Sequence, residues 1–380
     1  MLVGMATRIL LLSVSAGAGH VRAAQALECT AAETLSGVEV AHVDVMDLVP
    51  KLFRKAYAES YVRVVQEHPA LWGFLYGKTD REEGEDSKTR RLRLAIERLN
   101  TRKLERAIAA HAPDHIICTH FLPAELLSRM IDGGRLRTPV WVQVTDFDVH
   151  YLWIRRHMAG YFAASEEVAW RMRDRGVPAE RIHVTGIPVM PVFRDPPPRE
   201  VCAGEIGIDP HDTTLLMMAG GLGIGELPEL AGRLLSLERS FRIVALAGRN
   251  QRLKSDLERL ARDHGDRLLP VGFTTTIERF MAASDLAVSK PGGLTTSECL
   301  ASGLPMIVVS PIPGQEERNA DFLLENGAAL KAHDAAGLEF RVPELLDHPE
   351  RLRDMRQAAR RIARPRAAED VLSIVLGHQG

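Results

Sequence analysis

Two stretches of this sequence hold side chains of the kind that move protons and bind phosphate. The first is "SAGAGHVRAAQALE", in which Gly17 and Gly19 give a flexible turn and His20 opens an alanine-rich helix. A helix N-terminus disfavours the imidazolium form, so His20 is expected to stay neutral and able to accept a proton, as a general base must. The same position also suits a histidine that merely caps the helix, and the motif alone does not separate the two. Farther along, "VTDFDVH" places Asp146 at a strand end as a second candidate base. Asp146 to Asp148 also match a D-x-D metal signature, but no further ligand accompanies them and no metal is assigned.

The second stretch is "SKPGGLTTSECLASGLPMIVVSPIPGQEERNAD". Pro291, Gly292 and Gly293 make a turn after a strand, and a helix is expected from about Thr295. Exposed backbone N–H groups, threonine hydroxyls and the helix dipole then form an anion site that suits a diphosphate. Glu298, one turn in, is spaced to accept from both hydroxyls of a ribose, and Gln315, Glu316 and Asn319 are side chains that bind sugar hydroxyls in pairs. "VGFTTTIERF" adds a strand-end loop, Gly272 to Thr274, whose backbone can pair with a base edge while Phe273 supplies a flat apolar wall. "AGGLGIGEL" has four glycines, Gly220, Gly221, Gly223 and Gly225, without the G-x-G-x-x-G spacing of a nicotinamide or flavin site.

These residues need elements to position them, and the apolar pattern supplies a strand-helix rhythm. "RILLLSV", "VEVAHVDV", "DHIICTH", "PVWVQVTD", "GYFAASEEV" and "IHVTGIPV" read as strands of the first half, and "TTLLMMAGG", "FRIVALAG", "RLLPVGF", "DLAVSK" and "PMIVVS" as strands of the second. Alternation of this kind predicts an α/β protein with parallel sheets covered by helices. The triplet Pro196 to Pro198 continues neither element and marks a linker. The expectation is therefore two doubly wound, Rossmann-like domains facing a cleft, residues 1–195 and 196–380, with the last helix able to pack back on the first domain. Ligands of open α/β sheets bind beyond the C-terminal strand ends, where all of these motifs fall.

The composition narrows the classes of partner. The chain has 380 residues, 46% hydrophobic and 26% charged, with a formal net charge of -2, so neither disorder nor a nucleic-acid partner is expected. Four scattered cysteines without paired spacing argue against a zinc site or a disulfide framework and fit a reducing cytoplasm. The apolar start leads through a glycine turn into a helix, which reads as a first strand instead of a signal peptide. No segment is apolar for long enough to span a bilayer, so any membrane contact is peripheral. One insertion breaks the rhythm: Lys51 to Tyr76 holds Phe53, Tyr57, Tyr61, Trp72, Phe74 and Tyr76, and residues 88 to 106 carry eight basic residues against two acidic ones. A core helix followed by a solvated one accounts for this pattern, and so does a surface for anionic lipid.

Taken in order, "SAGAGHVRAAQAL", "VTDFDVHYLWI", "YFAASEEV", "VTGIPV", "AGRNQRL", "SKPGGLTTSECLASGLP" and "PGQEERNA" resemble the monogalactosyl- or monoglucosyl-diacylglycerol synthases. That family is grouped with the N-acetylglucosaminyltransferase of peptidoglycan synthesis. The resemblance implies a B-type glycosyltransferase fold, a UDP-sugar (UDP-glucose or UDP-galactose) held mainly by the C-terminal domain, and a diacylglycerol or related lipid acceptor at the N-terminal one. It implies that Gly292, Gly293 and Thr295 hold the diphosphate, Glu298 the ribose, and Gln315 and Glu316 the donor sugar, with His20 as the base. It also implies inverting hexose transfer without a metal, at the inner face of the cell membrane, with the aromatic and basic insertion facing an anionic surface. Two other readings share this architecture: a UDP-sugar epimerase, which needs no lipid surface, and a non-catalytic UDP-sugar sensor at the membrane.

Overall fold

The computed structural model describes residues 6–15, 17–49, 101–219 and 227–377. The aromatic insertion from Lys51 to Tyr76, the basic residues 88–100 and the loop holding Gly220 to Gly225 lie outside the described residues. The chain divides into two compact units. One comprises Met1–Pro191, Ile312–Gln315 and Arg366–Gly380; the other comprises Val192–Pro311 and Glu316–Pro365.

The first unit is built on a six-stranded sheet ordered β2-β1-β3-β4-β5-β6, every pair parallel. Its strands are β1 Thr7–Ser13, β2 Val38–Asp44, β3 His115–Cys118, β4 Val140–Gln143, β5 Gly160–Ala163 and β6 Ile182–Val184. β1 is buried without a break from Ile9 to Ser13, the continuous apolar run of a strand covered on both faces. Ile9, Leu11, Ile117 and Phe162 pack on Ala24, Leu27 and Ala31 of the helix Ala18–Thr34 and on Val371, Leu372 and Val375 of the helix Ala367–Val375. The chain's last described helix thus completes the core of the first sheet. At β5, Gly160 leaves room for the Trp141 ring, which a Cβ would meet at 2.6 Å and which stacks on Phe162 with centroids 5.5 Å apart.

The second unit repeats the plan with the order β12-β11-β10-β7-β8-β9, again all parallel. Its strands are β7 Thr214–Met218, β8 Arg242–Leu246, β9 Leu268–Val271, β10 Leu286–Ser289, β11 Met306–Val309 and β12 Ala329–Ala332. Eleven of these twelve strands were expected from the apolar pattern; β12, "ALKA", is a short edge strand with a half-buried lysine and carries too little apolar signal. Both units are therefore doubly wound, as expected. The strand order reverses between β1 and β3 in one sheet and between β7 and β10 in the other, and ligand sites of such sheets form at these reversals.

Candidate functional sites at the sheet reversal of each unit

His20 sits three residues into the helix Ala18–Thr34, directly after β1. The N-cap, Gly17, has φ 147° and ψ 153°, a backbone state that L side chains rarely adopt, so glycine is required there. Gly19 lies inside the helix and is not part of the turn. His20 does not cap: its Nδ1 lies 2.9 Å from the carbonyl of Thr119 at the end of β3 and 2.8 Å from the hydroxyl of Thr145 at the end of β4. The Thr119 hydroxyl donates back to the His20 carbonyl at 2.8 Å. A carbonyl only accepts, so the Nδ1 atom carries the hydrogen, and the Nε2 lone pair is the one left to take a proton. Burial lowers the His20 pKa to about 4, against a smaller opposing effect of the Thr119 hydrogen bond, so the ring is neutral at pH 7.

The sheet order brings further residues to this point that sequence reasoning missed. His120 is 3% exposed and lies edge-on to His20 with ring centroids 4.5 Å apart; Trp153 lies 6.2 Å from both rings. Thr119 and His120 follow β3, and Thr145 follows β4, so the cluster occupies the C-terminal ends of three adjacent strands. Asp146, the other candidate base, is half-buried next to Thr145. Asp148 is buried, with Arg171 Nε at 3.7 Å. Among the described residues, no three His, Cys, Asp or Glu side chains gather as metal ligands.

In the second unit the turn after β10 leads into the helix Gly293–Ala301, two residues earlier than expected, with Gly292 as N-cap. The Thr296 N–H returns to the Gly292 carbonyl at 2.8 Å, so the N–H groups of Gly293, Leu294 and Thr295 are the first-turn donors that have no acceptor within their own helix. A side chain at Gly292 would reach the Glu316 carboxylate, 4.0 Å from a Cβ placed there. Glu298 is buried on this helix at 6% exposure. Gln315, Glu316 and Asn319 lie in the first turns of the helix Gln315–Glu325, with Asn319 fully buried.

Two strands to the other side of β7, Gly272 to Thr274 follow β9. Phe273 is 57% exposed, and the guanidinium of Arg249, after β8, lies over its ring at 4.6 Å from the centroid. Thr274 is engaged locally, its hydroxyl accepting from the Thr276 N–H at 3.0 Å, so its side chain is a turn element. Arg249 stood within the motif "AGRNQRL", yet nothing local marks it as the partner of an aromatic on another strand.

Comparison with known proteins gives a consistent picture. Residues 20–189 match the family model described as "Monogalactosyldiacylglycerol (MGDG) synthase", and residues 225–371 match "Glycosyltransferase family 28 C-terminal domain". A processive diacylglycerol beta-glucosyltransferase of Bacillus cereus (strain AH187) is 29% identical over 377 residues, covering 97% of this chain and 93% of that protein. The protein of the same description from Bacillus pumilus (strain SAFR-032) is 29% identical over 378 residues, covering 97% and 94%. Among solved structures, Acinetobacter baumannii MurG aligns with a TM-score of 0.61 at 17% identity, covering 98% of this chain and 99% of that one. The UDP-GlcNAc 2-epimerase from Neisseria meningitidis bound to UDP-GlcNAc aligns with a TM-score of 0.61 at 12% identity, covering 98% and 100%. At such identities the structural likeness speaks for the fold alone.

Proposed function

Because the chain belongs to the monogalactosyldiacylglycerol synthase family of glycosyltransferases, we propose that it moves glucose or galactose from a UDP-sugar to the hydroxyl of 1,2-diacylglycerol, inverting the anomeric carbon. It is a hexosyltransferase. The observation that carries the site assignment is the neutral His20, its Nδ1 hydrogen committed to Thr119 and its Nε2 lone pair left to act. In the reaction the acceptor hydroxyl gives its proton to His20 Nε2 while its oxygen bonds to the anomeric carbon. The bond from that carbon to the diphosphate breaks, and UDP leaves with the electron pair. Asp146 is the second candidate for the proton.

On the donor side, Gly292 makes the turn, and the first-turn N–H groups of Gly293, Leu294 and Thr295 take the charge growing on the diphosphate. Glu298 accepts from the ribose hydroxyls, and Gln315, Glu316 and Asn319 engage the sugar. The uracil lies on Phe273 and pairs with the backbone of Gly272 to Thr274. The spacing of the sheet supports this arrangement: β10 and β9 are three strand intervals apart, or about 14 Å at the usual strand separation, a span suited to a nucleoside diphosphate. The residues present need no metal for this role, since the helix N-terminus supplies the positive potential.

The lipid side rests on the sequence: the aromatic and basic insertion is the surface for an anionic membrane, on the cytoplasmic face. No described helix is long and apolar enough to cross a membrane. The epimerase likeness is one of fold at 12% identity, whereas the relatives of known description at 29% identity are glucosyltransferases. The test is to incubate the protein with UDP-glucose or UDP-galactose and diacylglycerol vesicles, and to identify the lipid product by mass. A hexosyl-diacylglycerol is expected from one donor; absence of any glycolipid from either, with UDP still bound, would sink the reading.

A further inference from the structure

His120 has no place in the mechanism so far, yet its hydrogen bonding is as fully determined as that of His20. It is the N-cap of the helix Phe121–Asp132, and its Nδ1 accepts from the Leu122 N–H at 3.0 Å. An accepting Nδ1 leaves the hydrogen of the neutral ring on Nε2. Burial, with a smaller contribution from neighbouring His20, holds its pKa well below the usual histidine value, so the ring is neutral. The two rings are therefore opposite tautomers: His20 presents a lone pair at Nε2, and His120 presents an N–H at Nε2. Among the described residues neither Nε2 has a hydrogen-bond partner. Phe121, 4.2 Å from the His120 ring, and Trp153, 6.2 Å from both, wall the pair with apolar surface.

We infer that His120 is the donor half of a pair that reads an alcohol oxygen in both directions, donating its Nε2 hydrogen to the acceptor oxygen whose own hydrogen points to His20 Nε2. This rests on the glycosyl-transfer reading and deepens it by naming the group that orients the attacking atom. An alcohol oxygen has one hydrogen and two lone pairs. With the hydrogen directed at His20 and one lone pair at His120, the other lone pair is left to form the bond to the anomeric carbon. As the proton passes to His20, negative charge grows on the oxygen and the bond from His120 strengthens, so the interaction favours the transition state over the bound alcohol. The pair demands a free hydroxyl: an ether lacks the hydrogen that His20 takes.

The test separates this role from capping. His120→Asn keeps a side-chain oxygen at a preferred N-cap position but removes the donor at the place of Nε2. His120→Gln restores an amide N–H near that place and gives up the cap. With dioctanoylglycerol in vesicles, His120→Asn is expected to keep the parent's unfolding midpoint and UDP affinity while kcat falls about 100-fold, the usual cost of one lost donor to a developing oxyanion. His120→Gln is expected to melt earlier yet recover part of that turnover. Parent-like kcat in His120→Asn, or losses of turnover that simply follow losses of stability in both variants, would overturn the role. Long-range proton–nitrogen NMR of the parent gives a readout that does not depend on turnover. It should show His20 hydrogenated at Nδ1 and His120 at Nε2, with both Nε2 signals shifted by dioctanoylglycerol. The same tautomer on both rings, or no shift at either, also overturns it. A parent that makes no glycolipid but shows both shifts fails the transfer reading and keeps the pair.

Discussion

His20 owes its neutral state to its surroundings, and that state has measurable consequences. His20 is half-buried, and the loss of water around its ring lowers its pKa from 6.5 to about 4, against the opposing effect of its hydrogen bond to the Thr119 carbonyl. An unfolded chain takes up the proton near pH 6.5, whereas the folded one resists until about pH 4, so the stability held by the neutral ring is complete above pH 6.5 and lost as the pH falls towards 4. The loss is at most about 3 to 4 kcal/mol, from 1.36 kcal/mol per pKa unit. Denaturant titrations across this range should show the decline in the parent and a shallower one in His20→Ala. In the same variant turnover should drop roughly 100-fold or more with UDP affinity unchanged, because only a transition-state proton transfer is removed. Parent-like turnover would move the role to Asp146. On the donor side, Glu298→Ala should weaken UDP binding by about 1.5 to 3 kcal/mol, the worth of a charged hydrogen bond. Calorimetry on the folded variant decides this, and an unchanged affinity removes Glu298 from the site.

At the scale of elements, the helix Ala367–Val375 shows how a distant segment of sequence supports the first site. Val371, Leu372 and Val375 pack against the helix that carries His20 and against β1 and β3, whose ends form the histidine cluster. Leu372 is 1% exposed. Leu372→Ala should destabilise this unit by about 2 to 5 kcal/mol, through lost burial and the cavity left behind. The drop should appear as an earlier unfolding transition by circular dichroism. A variant that melts with the parent would show that the helix contributes little to this core. The pattern of alternating apolar runs foretold the helices and eleven strands because each run is contiguous. The edge strand β12 went unseen because an edge strand need bury only part of its surface.

For the whole molecule, the formal charge of -2 means that attraction to an anionic surface has to come from a local patch. The basic run between residues 88 and 106, together with Phe53, Tyr57, Trp72 and Phe74, is that patch in the proposed reading. Vesicle binding should therefore rise with anionic lipid content and fall with added salt. Replacing the four aromatics with serine should reduce co-sedimentation while sparing UDP affinity. Sedimentation equal to the parent's, with the fold intact, would return these aromatics to an ordinary core.

By itself the sequence determined the class of fold and the residues at strand ends, since strand periodicity, glycine turns and helix starts are written in contiguous stretches. His20, the "PGG" turn and Glu298 could be picked out for the same reason. What His20 touches was not legible: Thr119 and Thr145 are 99 and 125 positions away, and His120 and Trp153 carry no local mark of function. The capping alternative for His20 stayed open until the ring was seen bonded to the end of β3 instead of to its own helix. Likewise Arg249 meets Phe273 only because β8 and β9 are neighbours. Which strand ends meet depends on the order of strands in the sheet. That order is chosen by the packing of helices and strands far apart in the chain, and no single stretch of sequence encodes it.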